Sequence, residues 1–141
     1  MPVRRSIVPL LWRLHRWMYA RTGGQLGGRI VGMPVLLLRT RGRRTGRPHC
    51  VALTYLPDGS RYIVIASNGG AGRHPHWYGN LRAHGFAEIQ VGSHTISVSA
   101  RAAGGAERAR LWQRAVQAYP GYARYQRRTR RVIPVAILAP R

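Results

Sequence analysis

Four short segments hold the residue types that do chemistry. Gly42-Arg43-Arg44-Thr45-Gly46-Arg47-Pro48 sets three cations and two glycines in seven residues. Glycines let a backbone turn tightly and bring its amides close to a ligand, and arginine forks make charge-assisted bonds to phosphate or carboxylate. The same heptad also reads as a solvated basic hairpin turn, and it is not a P-loop, because the Gly-Lys-Ser/Thr ending is absent. Ala66-Ser67-Asn68-Gly69-Gly70 places a polar pair before two glycines, which either presents backbone amides to a ligand or simply ends a strand. In Pro75-His76-Trp77-Tyr78-Gly79-Asn80-Leu81, helical spacing puts Trp77, Asn80 and Leu81 on one face, where Trp77 suits a flat ring or a core. In Tyr119-Pro120-Gly121-Tyr122-Ala123-Arg124-Tyr125, Tyr122 and Tyr125 are neighbours on a helical turn. Their hydroxyls suit developing negative charge, or the pair is a half-buried aromatic cluster.

The elements that position these segments follow from periodicity and turn chemistry. Leu10, Leu11, Leu14, Trp17 and Met18 recur at helical spacing, with Arg13, His15 and Arg16 between them, so residues 7–20 read as a basic amphipathic helix ended at Thr22-Gly23-Gly24. Pro34 to Arg39 is an apolar run fit for a buried strand. Residues 49–56 and 61–67 read as strands joined at Pro57-Asp58-Gly59. A short helix is expected over 75–83, a strand pair over 86–91 and 94–100 turning at Gly92-Ser93, and a helix from Ala106 to Tyr119. Pro120 opens a helical piece to about Arg127, and Val132 to Leu138 is a last strand. A strand-rich middle with helices at the edges suggests a small barrel.

Composition narrows the partners. The chain has 141 residues, one ordinary domain's length, and is 45% hydrophobic, which excludes a disordered polymer. All 24 of its Lys-plus-Arg cations are Arg, against three acids, Asp58, Glu88 and Glu107. Such a field attracts anions: nucleic acid, an anionic membrane surface or an acidic cofactor. Cys50 is the one cysteine, so no internal disulfide and no thiolate metal cluster is possible, which fits a reducing cytoplasm. His74 and His76, two apart and without a nearby Cys or carboxylate, make no metal site. No apolar stretch approaches the roughly 20 residues of a membrane span, and no signal peptide is evident.

Taken together and in order, the four segments, with Asp58-Gly59 and Arg131 followed by Ile133-Pro134, resemble the deazaflavin (F420)-dependent nitroreductase and quinone reductase family of actinobacteria. The resemblance runs from about Trp17 to Pro140. It implies an α+β split β-barrel with peripheral helices, like that of flavin-binding pyridoxamine-phosphate-oxidase relatives. Residues 1–25 would then be an amphipathic N-terminal helix and 26–141 the cofactor-binding barrel. It implies an oxidoreductase that transfers a hydride from reduced coenzyme F420, without a metal, to a quinone-like or nitroaromatic acceptor.

The family's site maps onto this chain residue by residue. Arg43, Arg44 and Thr45 would meet the cofactor's phosphate and glutamate tail. The next strand, His49, Cys50, Val51, Ala52, Leu53 and Thr54, would line the groove. Ile65, Ala66, Ser67 and Asn68 would lie by the deazaflavin ring, and His76, Trp77, Tyr78, Gly79 and Asn80 would close over it. Tyr122 and Tyr125 would border the substrate side, with Ser67, Tyr122 and Tyr125 the catalytic candidates. Arg44 stands where a Lys is usual, His49 where an Arg often follows the turn, and Asn68 where a Lys can occur beside the ring.

The acceptor would be menaquinone-like, met at an anionic membrane surface by the N-terminal helix, where Trp12, Trp17 and Tyr19 suit a lipid interface. The protein would then sit in the cytoplasm, peripheral on the inner face of the membrane; alternatively residues 7–20 simply cover one end of the barrel. Two other classes compete: a non-catalytic carrier of a deazaflavin, haem or lipid on the same fold, and a basic nucleic-acid-binding module, which lacks any zinc-finger or helix-turn-helix signature.

Overall fold

The computed structural model describes residues 13–17, 29–30 and 32–141. Among these, eight strands form one antiparallel sheet: β1 (Arg29–Ile30), β2 (Met33–Arg41), β3 (Pro48–Thr54), β4 (Leu56–Asp58), β5 (Arg61–Ile65), β6 (Phe86–Val91), β7 (His94–Ala102) and β8 (Val135–Pro140). Hydrogen-bonded neighbours run β3-β2-β6-β7-β8-β5-β4, with the short β1 paired to the start of β2. Three helices flank the sheet: α1 (His76–His84), α2 (Gly105–Ala118) and α3 (Gly121–Arg127). Residues 13–17 are helical; the rest of the helix expected over 7–20, its Gly23-Gly24 stop and most of the 1–25 segment lie outside the described residues.

The sheet must curl. β3 and β4 stand at opposite ends of the strand order, yet only Tyr55 separates them in the chain. Consecutive Cα atoms are about 3.8 Å apart, so Thr54 and Leu56 lie within about 8 Å of each other. The two edges are therefore brought together. The Tyr55 amide leaves the β3 ladder and donates to the Pro34 carbonyl at 3.0 Å, which splits the expected strand 49–56 in two.

Side-chain alternation divides the core between the two sheet faces. Leu36, Leu38, Val64, Ala66, Ile89, Val98, Ala136 and Leu138 pack on one face with Trp77, Tyr78 and Leu81 of α1. Ile63, Ile65, Val135 and Ile137 pack on the other with Leu111 and Ala115 of α2 and Tyr122 of α3. β8 is thus buried on both faces, as its unbroken apolar run requires. It starts at Val135 rather than Val132, because Ile133 donates its amide to the Gln126 side chain and Pro134 has no amide to give. β5 likewise ends at Ile65, two residues early, while β7 runs on to Ala102.

The three carboxylates all serve the scaffold. Asp58, at the tip between β4 and β5, binds Arg61, Arg110 and Arg114, tying the hairpin to α2. Glu107 joins Arg61 and Arg101, and Glu88 faces Arg39. The Arg110 and Arg61 guanidiniums hold the Asp58 carboxyl well below the usual carboxylate range. A carboxyl depressed in the folded state contributes stability above its unfolded pKa and loses it as pH falls. Asp58→Asn is accordingly expected to lower the thermal midpoint at neutral pH, the gap to wild type closing below about pH 4; a gap independent of pH would remove the ion-pair explanation.

Candidate active site

A cavity of about 610 Å³ opens where β3, the end of β5, the start of α1 and the α2–α3 corner meet. β3 contributes Val51, Ala52, Leu53 and Thr54, and the β5 end contributes Ile65, Ser67, Asn68 and Gly69. α1 adds Pro75 and Trp77; the corner adds Tyr119, Tyr122 and Tyr125; Arg16 reaches in from the helical residues 13–17. Aliphatic and aromatic walls with a few converging hydroxyls and one cation are the usual make-up of a small-molecule site.

The three tyrosines form an edge-to-face cluster, with ring centroids 5.1 Å (Tyr119–Tyr122), 6.2 Å (Tyr119–Tyr125) and 6.3 Å (Tyr122–Tyr125) apart. Tyr119 ends α2, and its ring lies where any side chain at Gly121 would have to sit. The buried Tyr122 shares a 2.9 Å hydrogen bond between its hydroxyl and Thr54 Oγ1. Tyr119 and Tyr125 share another at 3.2 Å. Burial pushes the Tyr122 phenol above its ordinary value, and the Tyr119 hydrogen bond does the same for Tyr125. Both phenols therefore keep their protons and stay neutral, each able to donate or to accept in its hydroxyl pair.

The opposite wall is a tight 3-10 turn, Asn68–Gly70. Three successive residues take positive φ: Asn68 at 47°, Gly69 at 63° and Gly70 at 83°. Gly70 is required twice, since a Cβ there would also stand 2.8 Å from the Tyr125 carbonyl oxygen. The Asn68 side chain donates to the Arg73 carbonyl at 3.1 Å, fixing the turn from within.

The basic turn closes on itself through Gly42 N–H to Arg47 O (2.8 Å) and Gly46 N–H to Gly42 O (2.9 Å). It is then fastened to α1. Asn80, almost wholly buried, accepts from the Arg43 backbone amide at 3.1 Å and from Arg43 Nη1 at 3.0 Å, and donates to Thr40 Oγ1 at 3.1 Å. Arg43 also donates to the His76 carbonyl, and its guanidinium lies over Gly79, where a Cβ would stand 2.8 Å from Cζ. Arg44 and Arg47 remain exposed at the tip, outside every ion pair among the described residues.

Among the sequence-derived candidates, Val51, Ala52, Leu53, Thr54, Ile65, Ser67, Asn68, Trp77, Tyr122 and Tyr125 come together at the cavity. Arg43, Arg44, Thr45, His49, Cys50, Ala66, His76, Tyr78, Gly79 and Asn80 do not line it. Ala66 and Tyr78 are buried in the sheet core. Trp77 and Asn80, expected on one helical face, part company: Trp77 borders the cavity, and Asn80 turns to Thr40 and Arg43. Sequence reasoning missed Arg16, Gly69, Pro75 and Tyr119 as walls. Tyr119 was legible as one more ring in the Tyr119-Pro120-Gly121-Tyr122 run, whereas nothing local marks Arg16 among so many arginines. No group of three or more His, Cys, Asp or Glu residues among the described residues could hold a metal.

A curled antiparallel sheet with flanking helices, bearing an apolar cavity lined by several hydroxyls, places the chain in the split-barrel class, whose members' functions are set by their sites rather than by the fold. The profile of the F420H(2)-dependent quinone reductase family matches residues 11–140, and the chain belongs to that family. It is 41% identical over 143 residues to an F420H(2)-dependent quinone reductase of Mycobacterium tuberculosis strain H37Rv, covering 99% of this chain and 96% of that one. Among solved structures, an F420-H2-dependent reductase, FDR-A, superposes with a TM-score of 0.68 at 39% identity, covering 74% of this chain and 93% of that one. A domain-swapped dimer superposes at 0.72 with 34% identity, covering 96% of each. The protein is thus an oxidoreductase whose cofactor is F420.

Asn80 is the joint between basic turn and barrel. Replacing it with Ala leaves the Arg43 amide and Thr40 without their partner, so a loss of about 2 kcal/mol in chemical denaturation is expected; an unchanged midpoint would show that the turn is held by other means.

Proposed function

We propose that the cavity holds the deazaflavin ring and the acceptor together, with the cofactor's phosphorylated tail on the exposed Arg44 and Arg47, and that the chain reduces a menaquinone-like quinone. The observation that carries this reading is a distance. β3 leaves the basic turn at Pro48, meets the cavity at Val51 and runs along it to Thr54, three to six residue steps, or about 10 to 20 Å at strand rise. That suits an extended cofactor with a flat apolar head and an anionic tail. The residues present fit the group: about 610 Å³ walled by Val51, Leu53, Ile65 and Trp77 for a tricyclic ring, and free guanidinium forks for phosphate.

Bound F420H2 supplies the hydride. The chain's own part is orientation, exclusion of water and charge. Val51, Leu53, Ile65 and Trp77 give the cavity dry, flat walls, which hold reacting atoms near contact distance. If Thr54 donates to Tyr122, the Tyr122 proton is left for the acceptor oxygen that gains negative charge. Tyr125, with Tyr119 behind it, offers a second donor. Ser67 faces the same space from the opposite wall. Tyr122 need not surrender its proton, because burial makes the phenolate costly and solvent can complete the reduction. A nitroaromatic acceptor, whose oxygen also gains charge, would use the same donors.

The helical residues 13–17 present Leu14 and Trp17, 50% and 57% exposed, while Arg16 turns to the cavity. None of the described helices is long and apolar enough to cross a membrane. This supports a helix that skims an anionic surface and meets a lipid-dissolved quinone there. Full-length chain is expected to co-sediment with anionic phospholipid vesicles more than a chain lacking residues 1–20; equal sedimentation sinks the membrane role.

Turnover is read by mixing protein, F420H2 and menadione and following deazaflavin absorbance; binding without reoxidation would make the protein a carrier instead. Arg44→Ala removes a charge-assisted contact worth about 1.5–3 kcal/mol, so F420 should bind roughly tenfold or more weakly. Tyr122→Phe should lower kcat more than cofactor affinity, and an unchanged kcat would take Tyr122 out of the mechanism.

A further inference from the structure

We propose that Arg131 is a positioning residue for the reaction: it holds the Ser67 wall of the cavity in register with the tyrosine helix. The inference rests on the placement of the ring beside Ser67 proposed above.

Arg131 lies in the irregular stretch before β8, outside the cavity lining. Its guanidinium reaches back 57 to 65 residues and closes on one loop. Nη2 donates to the Ser67 carbonyl at 2.7 Å, Nη1 to the Ala66 carbonyl at 3.2 Å, and Nε to the Ala71 carbonyl at 2.9 Å. Nη1 also meets His74 Nδ1 at 2.9 Å. Burial, with Arg131 and Arg82 nearby, holds the His74 ring below its ordinary pKa, so it stays neutral and accepts this bond. Three carbonyls from the two ends of the strained Asn68–Gly70 turn are thus gathered on one planar fork.

The other end of Arg131 is tied to the tyrosine helix. Gln126, on α3, donates to the Arg131 carbonyl at 2.8 Å and accepts from the Ile133 amide at 3.0 Å. One hydrogen-bonded chain therefore runs from α3, which bears Tyr122 and Tyr125, through Gln126 and Arg131 to Ser67. The two walls between which donor and acceptor must stack thus share this spacer at Ser67, while Arg128 ties the Gly69 carbonyl at 3.3 Å on the far side of the turn. A lysine cannot copy it, because a point ammonium cannot span three carbonyls set around a loop. No carboxylate among the described residues pairs with Arg131, so its charge stays unneutralised directly behind Ser67.

The test uses full-length Arg131→Lys and Arg131→Gln. In cofactor-free protein, amide hydrogen exchange at Gly70 and Ala71, which bond to Ser67 and Asn68, should quicken about tenfold or more in both variants while β7 and β8 keep their wild-type rates. With F420H2 and menadione, kcat should fall about tenfold or more, with a smaller change in quinone KM. Wild-type exchange at the loop overturns the inference. Equal acceleration throughout the chain also overturns it, by making Arg131 a general fold residue. Ser67→Ala, titrated with F420 in parallel, reports on the ring site without Arg131. Weakened binding there with a wild-type loop in Arg131→Lys removes only the Arg131 role, whereas wild-type binding removes the ring site and the inference with it.

Discussion

The structure depends on a one-residue constraint. Tyr55 alone joins β3 to β4, the two ends of the strand order, so the sheet has no freedom to stay open. Because the Tyr55 amide is caught by Pro34, the closure point is fixed against β2. Thr54, the last residue of β3, is thereby delivered to Tyr122 of α3, 68 positions away. The cavity is the space left at this seam, which is why its walls come from five separate parts of the chain.

Charge is organised with equal economy. Three carboxylates face 24 arginines, and each carboxylate is committed to the scaffold. The arginines then divide by burial and partner. Arg43 fastens the basic turn to Asn80 and the His76 carbonyl, and Arg131 gathers the carbonyls of the 66–71 loop; Arg108 donates to the Ile133 carbonyl and covers the Trp112 ring. Arg44 and Arg47 are left exposed on a turn closed by its own backbone hydrogen bonds. Arg41, Arg73, Arg124, Arg127 and Arg130 are likewise exposed and outside the ion pairs, so overall positive charge, which by itself suits nucleic acid as well, gains a local meaning at this turn from its place at the head of β3.

How far the sequence reveals this depends on the range of the physics. The hairpin tips at Asp58-Gly59 and Gly92-Ser93 were legible because turn chemistry is local. The cavity residues on β3, at Ser67 and Asn68, and at Trp77, Tyr122 and Tyr125 were legible through ordered spacing that matched a family. The split at Tyr55 was not, since it needs Pro34. Nor was the division of labour along α1, where Asn80 answers to Thr40 and Arg43, about forty positions upstream. Arg131 was noticed only as part of a pattern: among so many identical side chains, type and local spacing do not separate a spacer from a surface charge.

A hydride adds negative charge to whatever receives it, and the cavity proposed to hold the acceptor suits that fact. It contains no carboxylate, because all three lie elsewhere in the fold. Its polar groups are neutral hydroxyls and an amide side chain, with one cation, Arg16, in the lining and another, Arg131, behind it. Neutral hydroxyls add no further charge that would hold water, while the cations lower the cost of an anionic oxygen once it forms. A carboxylate in the wall would do the reverse on both counts. On the proposed placement of the acceptor, the scarcity of acids, which looks at first like a property of the surface, also serves the chemistry.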